Sequence, residues 1–337
     1  MSKNVALVLA SGGSRGLAHI GAIEALIERG YNITSVAGTS MGALVGGLYA
    51  AGGLDKFEAW MGSVDRWKVF SLMDFTLTTK GFVKGDKIIE ELKELVTDRL
   101  IEDLPIPYTA VATDIRHRKE VVFERGSLYE AIRASISIPS LFTPHLKDDM
   151  ILIDGGVLVP LPIDYVKRGK DDILVVVDLN GSYIPEEEKM EGNETEKPSA
   201  ILKLEEYYSQ LKEKVSYLDV IEDKVEHIKE KVDIFLDKAD AVVDKYKGEK
   251  MLASEAELNQ FIESKKQYEL NLLEILDRSS GIMTQKIVDL TLKLYPPDIL
   301  VRIPKNAYST LEFYKYGEIS ALGKSLMNEA IDKFEGR

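Results

Sequence analysis

Two short apolar runs, VALVLA (residues 5–10) and Ile33 to Ala37, each pass through a glycine-rich turn into a helix of small residues, all within the first 51 positions. A strand that feeds straight into a helix cannot pair with the next strand as a hairpin. Two such units in succession therefore predict a parallel sheet covered by helices on both sides. The first helix is expected from about Leu17 to Arg29, and the second from Met41 to Ala51, where Gly52 and Gly53 stop it. Further strands are expected at 108–115, 119–125, 150–156, 172–179 and 298–304, with helices at 86–99, 127–135, 282–294 and 318–334.

One segment breaks this α/β pattern. Between 199 and 247 apolar residues recur at gaps of three and four, from Ile201, Leu204, Tyr208 and Leu211 through to Val242 and Tyr246, with one slip between Val215 and Ile221. A helix of that length would run roughly 70 Å, too long to stand without a partner. Gly248 ends it, and a second stripe from Leu258 to Leu276 can fold back to complete a helical hairpin. Residues 181–280 hold 25 acidic and 15 basic residues, hence −10 of the chain's −13, and the remainder is close to neutral. The expected organisation is a core over 1–183, an acidic coiled-coil-like insertion over 184–278, and a return to the core over 279–337. The arm at 199–278 is a candidate surface for homo-oligomerisation.

The net charge leaves no basic surplus for nucleic-acid phosphates, so nucleic acid is not an expected partner. It also disfavours simple electrostatic docking on anionic lipid, which leaves at most a transient membrane-surface contact. With no cysteine, disulfides, thiolate metal sites and a cysteine nucleophile are all excluded. No cofactor and no metal are expected. The six-residue run at the start is too short for a signal segment or a membrane span, so a cytoplasmic protein is the expectation.

Chemistry enters with Gly38-Thr39-Ser40-Met41-Gly42, a G-x-S-x-G sequence between a predicted strand and a predicted helix. In that setting the flanking glycines Gly38 and Gly42 permit a sharp turn, and the helix N-terminus favours negative charge beside the Ser40 hydroxyl. A serine nucleophile also needs donors for an oxyanion and a base. Gly12, Gly13, Ser14 and Arg15, followed by Gly16, form a turn at a helix start, where free backbone N–H groups can face an anion. A nucleotide-phosphate loop fits less well: Ser11 occupies the first Rossmann glycine position, no acidic residue ends the second strand, and no G-K-[ST] follows.

Of the four histidines, His227 is on the charged helix, His117 lies between two arginines in a hairpin turn, and His19 follows the glycine loop in a packing or capping position. Only His145 offers itself as a histidine base. The stronger candidate is Asp154, at the end of the apolar run MILID and followed by Gly155 and Gly156. A carboxylate among apolar neighbours can have a raised pKa and act as a base by itself.

The segments SGGSRG, GTSMG and DGG, in this order, resemble the patatin-like phospholipase family; ATDI (112–115), AIRASISIPSLFTP (131–144), LIDGGVLVPLPI (152–163) and ILVVVDL (173–179) extend the likeness over about 1–180, and PPDILVRIP carries it more weakly into 273–337. The resemblance implies a three-layer α/β/α fold with a mostly parallel central sheet, a Ser40–Asp154 dyad and an oxyanion hole at Gly12, Gly13, Ser14 and Arg15. Ser11 departs from the longer glycine motif. The implied activity is hydrolysis of a lipid or fatty ester through an acyl-enzyme, with phospholipid or lysophospholipid the usual substrate. The acidic insertion has no counterpart in the family pattern. An alternative is a weakly active body that serves as an oligomeric interaction module through its arm. The aromatic stretch at 67–83 reads as an acyl-access lid or as a buried loop, with Trp60, Met61 and Trp67 on the same route.

Overall fold

The computed structural model describes residues 3–72, 75–78, 81–139, 141–182 and 272–336. The chain divides into two compact units, Met1–Glu186 with Leu276–Arg337, and Glu187–Ile275. The first unit is the one described below. The expected helical hairpin over 184–278, and the self-association assigned to it, fall almost entirely outside the described residues.

An eight-stranded sheet with helices on both sides forms the first unit. In chain order its strands are β1 (Asn4–Leu9), β2 (Asn32–Thr39), β5 (Tyr108–Asp114), β6 (Lys119–Phe123), β7 (His145–Lys147), β8 (Met150–Asp154), β9 (Ile173–Gly181) and β10 (Ile299–Pro304). A separate two-stranded hairpin joins β3 (Phe75–Thr78) to β4 (Gly81–Val83). The order across the sheet is β10-β9-β1-β2-β5-β8-β7, with β6 on β5. The run from β10 to β5 is parallel, whereas β6, β8 and β7 join antiparallel. Every residue of β5 and β9 is buried, as expected of strands covered on both faces.

The helices are α1 (Ala18–Glu28), α2 (Met41–Ala50), α3 (Leu54–Met61), α4 (Arg66–Leu72), α5 (Asp86–Leu95), α6 (Leu128–Ser135), α7 (Leu272–Leu294) and α8 (Tyr316–Glu335). α1 packs on α8, while α2 lies against β2 and β5 and meets α6. α5 stops at Leu95, short of the expected 99, because Val96 is already extended and Leu100 forms a bridge with Ser127. α7 starts ten residues before the expected 282 and runs through the boundary expected at 278/279. The stretch at 67–83 is not a plain loop: it contains most of α4 and the β3–β4 strand pair.

Strand register decides where the chemistry sits. β2 pairs along one edge of β5 and ends with Thr39 opposite Val111. β8 approaches from the other direction and ends with Asp154 opposite Ala112. Because β6 occupies β5 from Ala110 to Asp114 on the other edge, β2 and β8 meet nearly end to end along a shared edge. Ser40 follows the last residue of one strand and Asp154 is the last residue of the other.

Candidate active site

Ser40 joins β2 to α2 with φ 56° and ψ −123°, a conformation that a non-glycine residue adopts only under constraint. The tightness of the turn explains its flanking glycines: a Cβ on Gly42 would stand 2.1 Å from the Leu9 carbonyl oxygen, and one on Gly38 would stand 2.2 Å from that of Gly42. The Ser40 hydroxyl donates to Asp154 Oδ2 at 2.5 Å, and both residues are buried. Gly156 N–H donates to Asp154 Oδ1 at 2.7 Å, so each carboxylate oxygen has a donor. Gly155 lies where β8 leaves the sheet, and a Cβ on it would stand 2.2 Å from the Val111 carbonyl oxygen. Burial pushes the Asp154 pKa up to about 6, against the pull of the Ser40 and Gly156 hydrogen bonds.

The backbones of this pair are held by one short segment at the end of α6. Ser40 N–H donates to Ser135 Oγ at 2.8 Å, and Asp154 N–H donates to the Ser137 carbonyl at 2.9 Å. Ser135 was visible in the sequence only as part of AIRASISIPSLFTP, with nothing to single out its hydroxyl.

The glycine loop enters a 3₁₀ turn at Gly13–Leu17. Its four expected residues do different things. Ser14 N–H donates to the Thr310 carbonyl at 3.0 Å and Ser14 Oγ to the Ser309 carbonyl at 2.6 Å, so neither group faces an anion. The buried Arg15 guanidinium donates to the carbonyls of Leu179 (3.3 Å) and Tyr308 (2.9 Å), tying the loop to the end of β9 and to a late turn of the chain. Gly12 packs on the Leu179 side chain, and the neighbouring Gly16 packs on Met41. Gly13, at φ 57°, lines the same cavity as Ser40. Asn180, unnoticed in the sequence, steadies the loop from β9 by donating its Nδ2 to the Ser11 carbonyl at 3.0 Å.

The described histidines are placed away from the base role. His19 is fully buried, and burial lowers its pKa to about 4; its neutral ring donates from Nε2 to the Ala10 carbonyl at 2.9 Å, bracing the end of β1. His117 bonds Asp114 at the far end of β5. His145, half-buried on β7, has Nε2 3.7 Å from Glu130 Oε1. Among the described residues the hydrogen-bond partner of the Ser40 hydroxyl is therefore a carboxylate, not an imidazole.

Beside Ser40 lies a cavity of about 100 Å³. Phe57, Trp60 and Met61 from α3, Val69 and Leu72 from α4, Leu92 from α5, and Ile136, Ile138 and Phe142 after α6 supply an almost wholly apolar lining. Trp60 and Met61 are on this route as expected. Trp67 is not: it is 62% exposed and absent from the lining, because the amphipathic α4 turns Val69 and Leu72 inward instead.

Residues 7–167 match the family model described as patatin-like phospholipase. Over 340 aligned residues the chain is 37% identical to an uncharacterized NTE family protein of Mycobacterium tuberculosis, covering 99% of this chain and 93% of that one. It is 32% identical over 185 residues to the lysophospholipase NTE1 of Cryptococcus neoformans, a match covering 52% of this chain and 11% of that protein. Among solved structures, VipD from Legionella pneumophila aligns with 99% of this chain and 67% of its own length, at 14% identity and a TM-score of 0.43. A near full-length relative at this identity, together with the family model, leaves one assignment: the chain belongs to the patatin-like phospholipase family of lipid hydrolases, alongside the NTE proteins.

Proposed function

We propose that this protein cleaves single carboxylic-ester bonds of fatty-acyl lipids, phospholipid or lysophospholipid among them, with Ser40 as nucleophile and Asp154 as its base. The observation that carries this reading is the 2.5 Å hydrogen bond from Ser40 Oγ to Asp154 Oδ2 on the wall of an apolar cavity. Ser40 attacks the ester carbonyl while its proton passes to Asp154. The negative charge of the tetrahedral intermediate is met by the backbone N–H groups of Gly12 and Gly13, since that of Ser14 is already engaged. Collapse of the intermediate expels the alcohol, which takes the proton back from Asp154, and leaves an acyl-serine. Water, deprotonated by Asp154, then releases the fatty acid. With a pKa of about 6, Asp154 is mostly ionised at neutral pH yet basic enough to accept a proton. The cavity receives the acyl chain, whose contact with apolar walls supplies binding energy without any charged partner.

The test is fluorophosphonate labelling followed by intact-mass measurement, with p-nitrophenyl ester turnover in parallel. One adduct per wild-type chain and none on Ser40→Ala is the expected result. Undiminished labelling or turnover by Ser40→Ala would overturn the assignment.

A further inference from the structure

We propose that Ser135 is a positioning residue for the nucleophile: its hydroxyl replaces the rung of the sheet that is lost where β2 turns away, and so fixes the strained backbone of Ser40. This inference rests on the reading of Ser40 as the nucleophile.

The ladder between β2 and β5 runs in register up to Thr39 opposite Val111. One residue later the chain bends through φ 56°, so the Ser40 amide cannot reach the β5 carbonyl that a continuing strand would use. Both groups would then be buried without partners, a costly arrangement. Ser135 Oγ fills the gap. It accepts from Ser40 N–H at 2.8 Å and donates to the Val111 carbonyl at 2.7 Å, so one side-chain hydroxyl stands between the two backbones as an inserted rung. Ser135 is fully buried, and these two bonds fix its hydroxyl in orientation. Two residues on, the Ser137 carbonyl accepts from Asp154 N–H. The segment 135–137 thus references both members of the dyad to the same helix end, and Ser135 alone does so through a replaceable side chain.

The arrangement also directs the Ser40 N–H toward the sheet, so it takes no part in stabilising the oxyanion. That separates the role of Ser135 from substrate binding: its side chain is not part of the cavity lining, and its loss should misplace the hydroxyl without altering the acyl pocket. A displacement of this kind near the reacting atoms costs up to about 100-fold in rate.

The experiment uses the full chain and measures fluorophosphonate labelling rates and steady-state hydrolysis of p-nitrophenyl butyrate for Ser135→Ala, Ser135→Thr and Ser135→Val, with Ser40→Ala as control. Ser135→Ala is expected to lower kcat and the labelling rate constant together by about 10- to 100-fold, with KM within about 2-fold of wild type. Thr and Val have the same shape, so steric strain at this buried position affects both; Ser135→Thr should recover most of the rate that Ser135→Val lacks. That pair decides the matter even where the alanine variant fails to fold. Wild-type rates for Ser135→Ala and Ser135→Val, a loss confined to KM, or a threonine variant as slow as the valine variant would each overturn the proposal while leaving Ser40 as nucleophile. Labelling that survives Ser40→Ala would instead remove the reading beneath it, and the proposal with it.

Discussion

The ends of β2 and β8 meet at one edge of β5 and each delivers one half of the proposed dyad, yet the two halves are unfavourable in different ways. Ser40 is strained in its backbone, at φ 56°, and is electrostatically undemanding. Asp154 is relaxed, at φ −48° and ψ 131°, but its carboxylate is deprived of water and its pKa rises to about 6 from an ordinary 3.8. Ser40, the proposed nucleophile, is held in a sparsely populated conformation by its neighbours, and Asp154, the proposed base, is held in a medium that disfavours its charged form. Both conditions serve the chemistry, and both reduce the stability of the fold.

Four substitutions or measurements sharpen this contrast, beginning with the largest effect. Asp154→Asn keeps an acceptor for Gly156 but cannot take a proton, and should lower ester turnover by about 10³- to 10⁴-fold in a p-nitrophenyl ester assay. The same substitution should raise stability. The folded-state pKa of Asp154 lies above its unfolded value, so the folded protein retains that proton longer and loses stability as pH rises from 3.8 through about 6. Removing the charge should therefore raise the unfolding free energy by about 2–3 kcal/mol at pH 8, and by progressively less as pH falls through 6. Urea unfolding at several pH values tests this; a variant no more stable than wild type at pH 8 would mean that desolvation is not the stress on Asp154.

Next, kcat/KM of the wild type should fall about tenfold per pH unit below a midpoint near 6, because only ionised Asp154 accepts the Ser40 proton. Ser40→Gly comes third. It removes the nucleophile and its strained φ, and should stabilise the fold by about 1 kcal/mol at pH 5, where Asp154 is largely protonated. The two stabilising substitutions are thus told apart by pH: the gain from Asp154→Asn fades in acid and that from Ser40→Gly persists. Smallest of all, His145→Gln should leave kcat within about 2-fold, and a large loss would point to histidine rather than carboxylate as the base.

Much of the candidate site was legible in the sequence, for a local reason. The motifs around Ser40, Gly13 and Asp154 each declare a turn, since glycines mark positions where a Cβ would strike backbone, and such short-range sterics leave a short-range signature. The alternation of strands and helices was legible on the same grounds. The amphipathic helices α3 and α4 were missed because Leu54–Met61 and Arg66–Leu72 are short and carry no strong start signals, so their apolar faces acquire meaning only when they close over the cavity. The Ser14 N–H and the Arg15 side chain looked free because nothing local shows that Ser309, Thr310, Tyr308 and Leu179 would come from far along the chain to meet them.

The sequence by itself therefore determined that a serine would stand at a cramped strand-to-helix turn, that a carboxylate would end an apolar strand, and that a parallel sheet would carry them. Only the tertiary structure decided that β2 and β8 stop one residue apart on β5, that Ser135 completes the broken rung, and that an apolar cavity opens beside Ser40. The physical reason is range. Turn sterics and periodicity act within a few residues, whereas strand register, desolvation of a carboxylate and the shape of a cavity are sums over segments far apart in the chain.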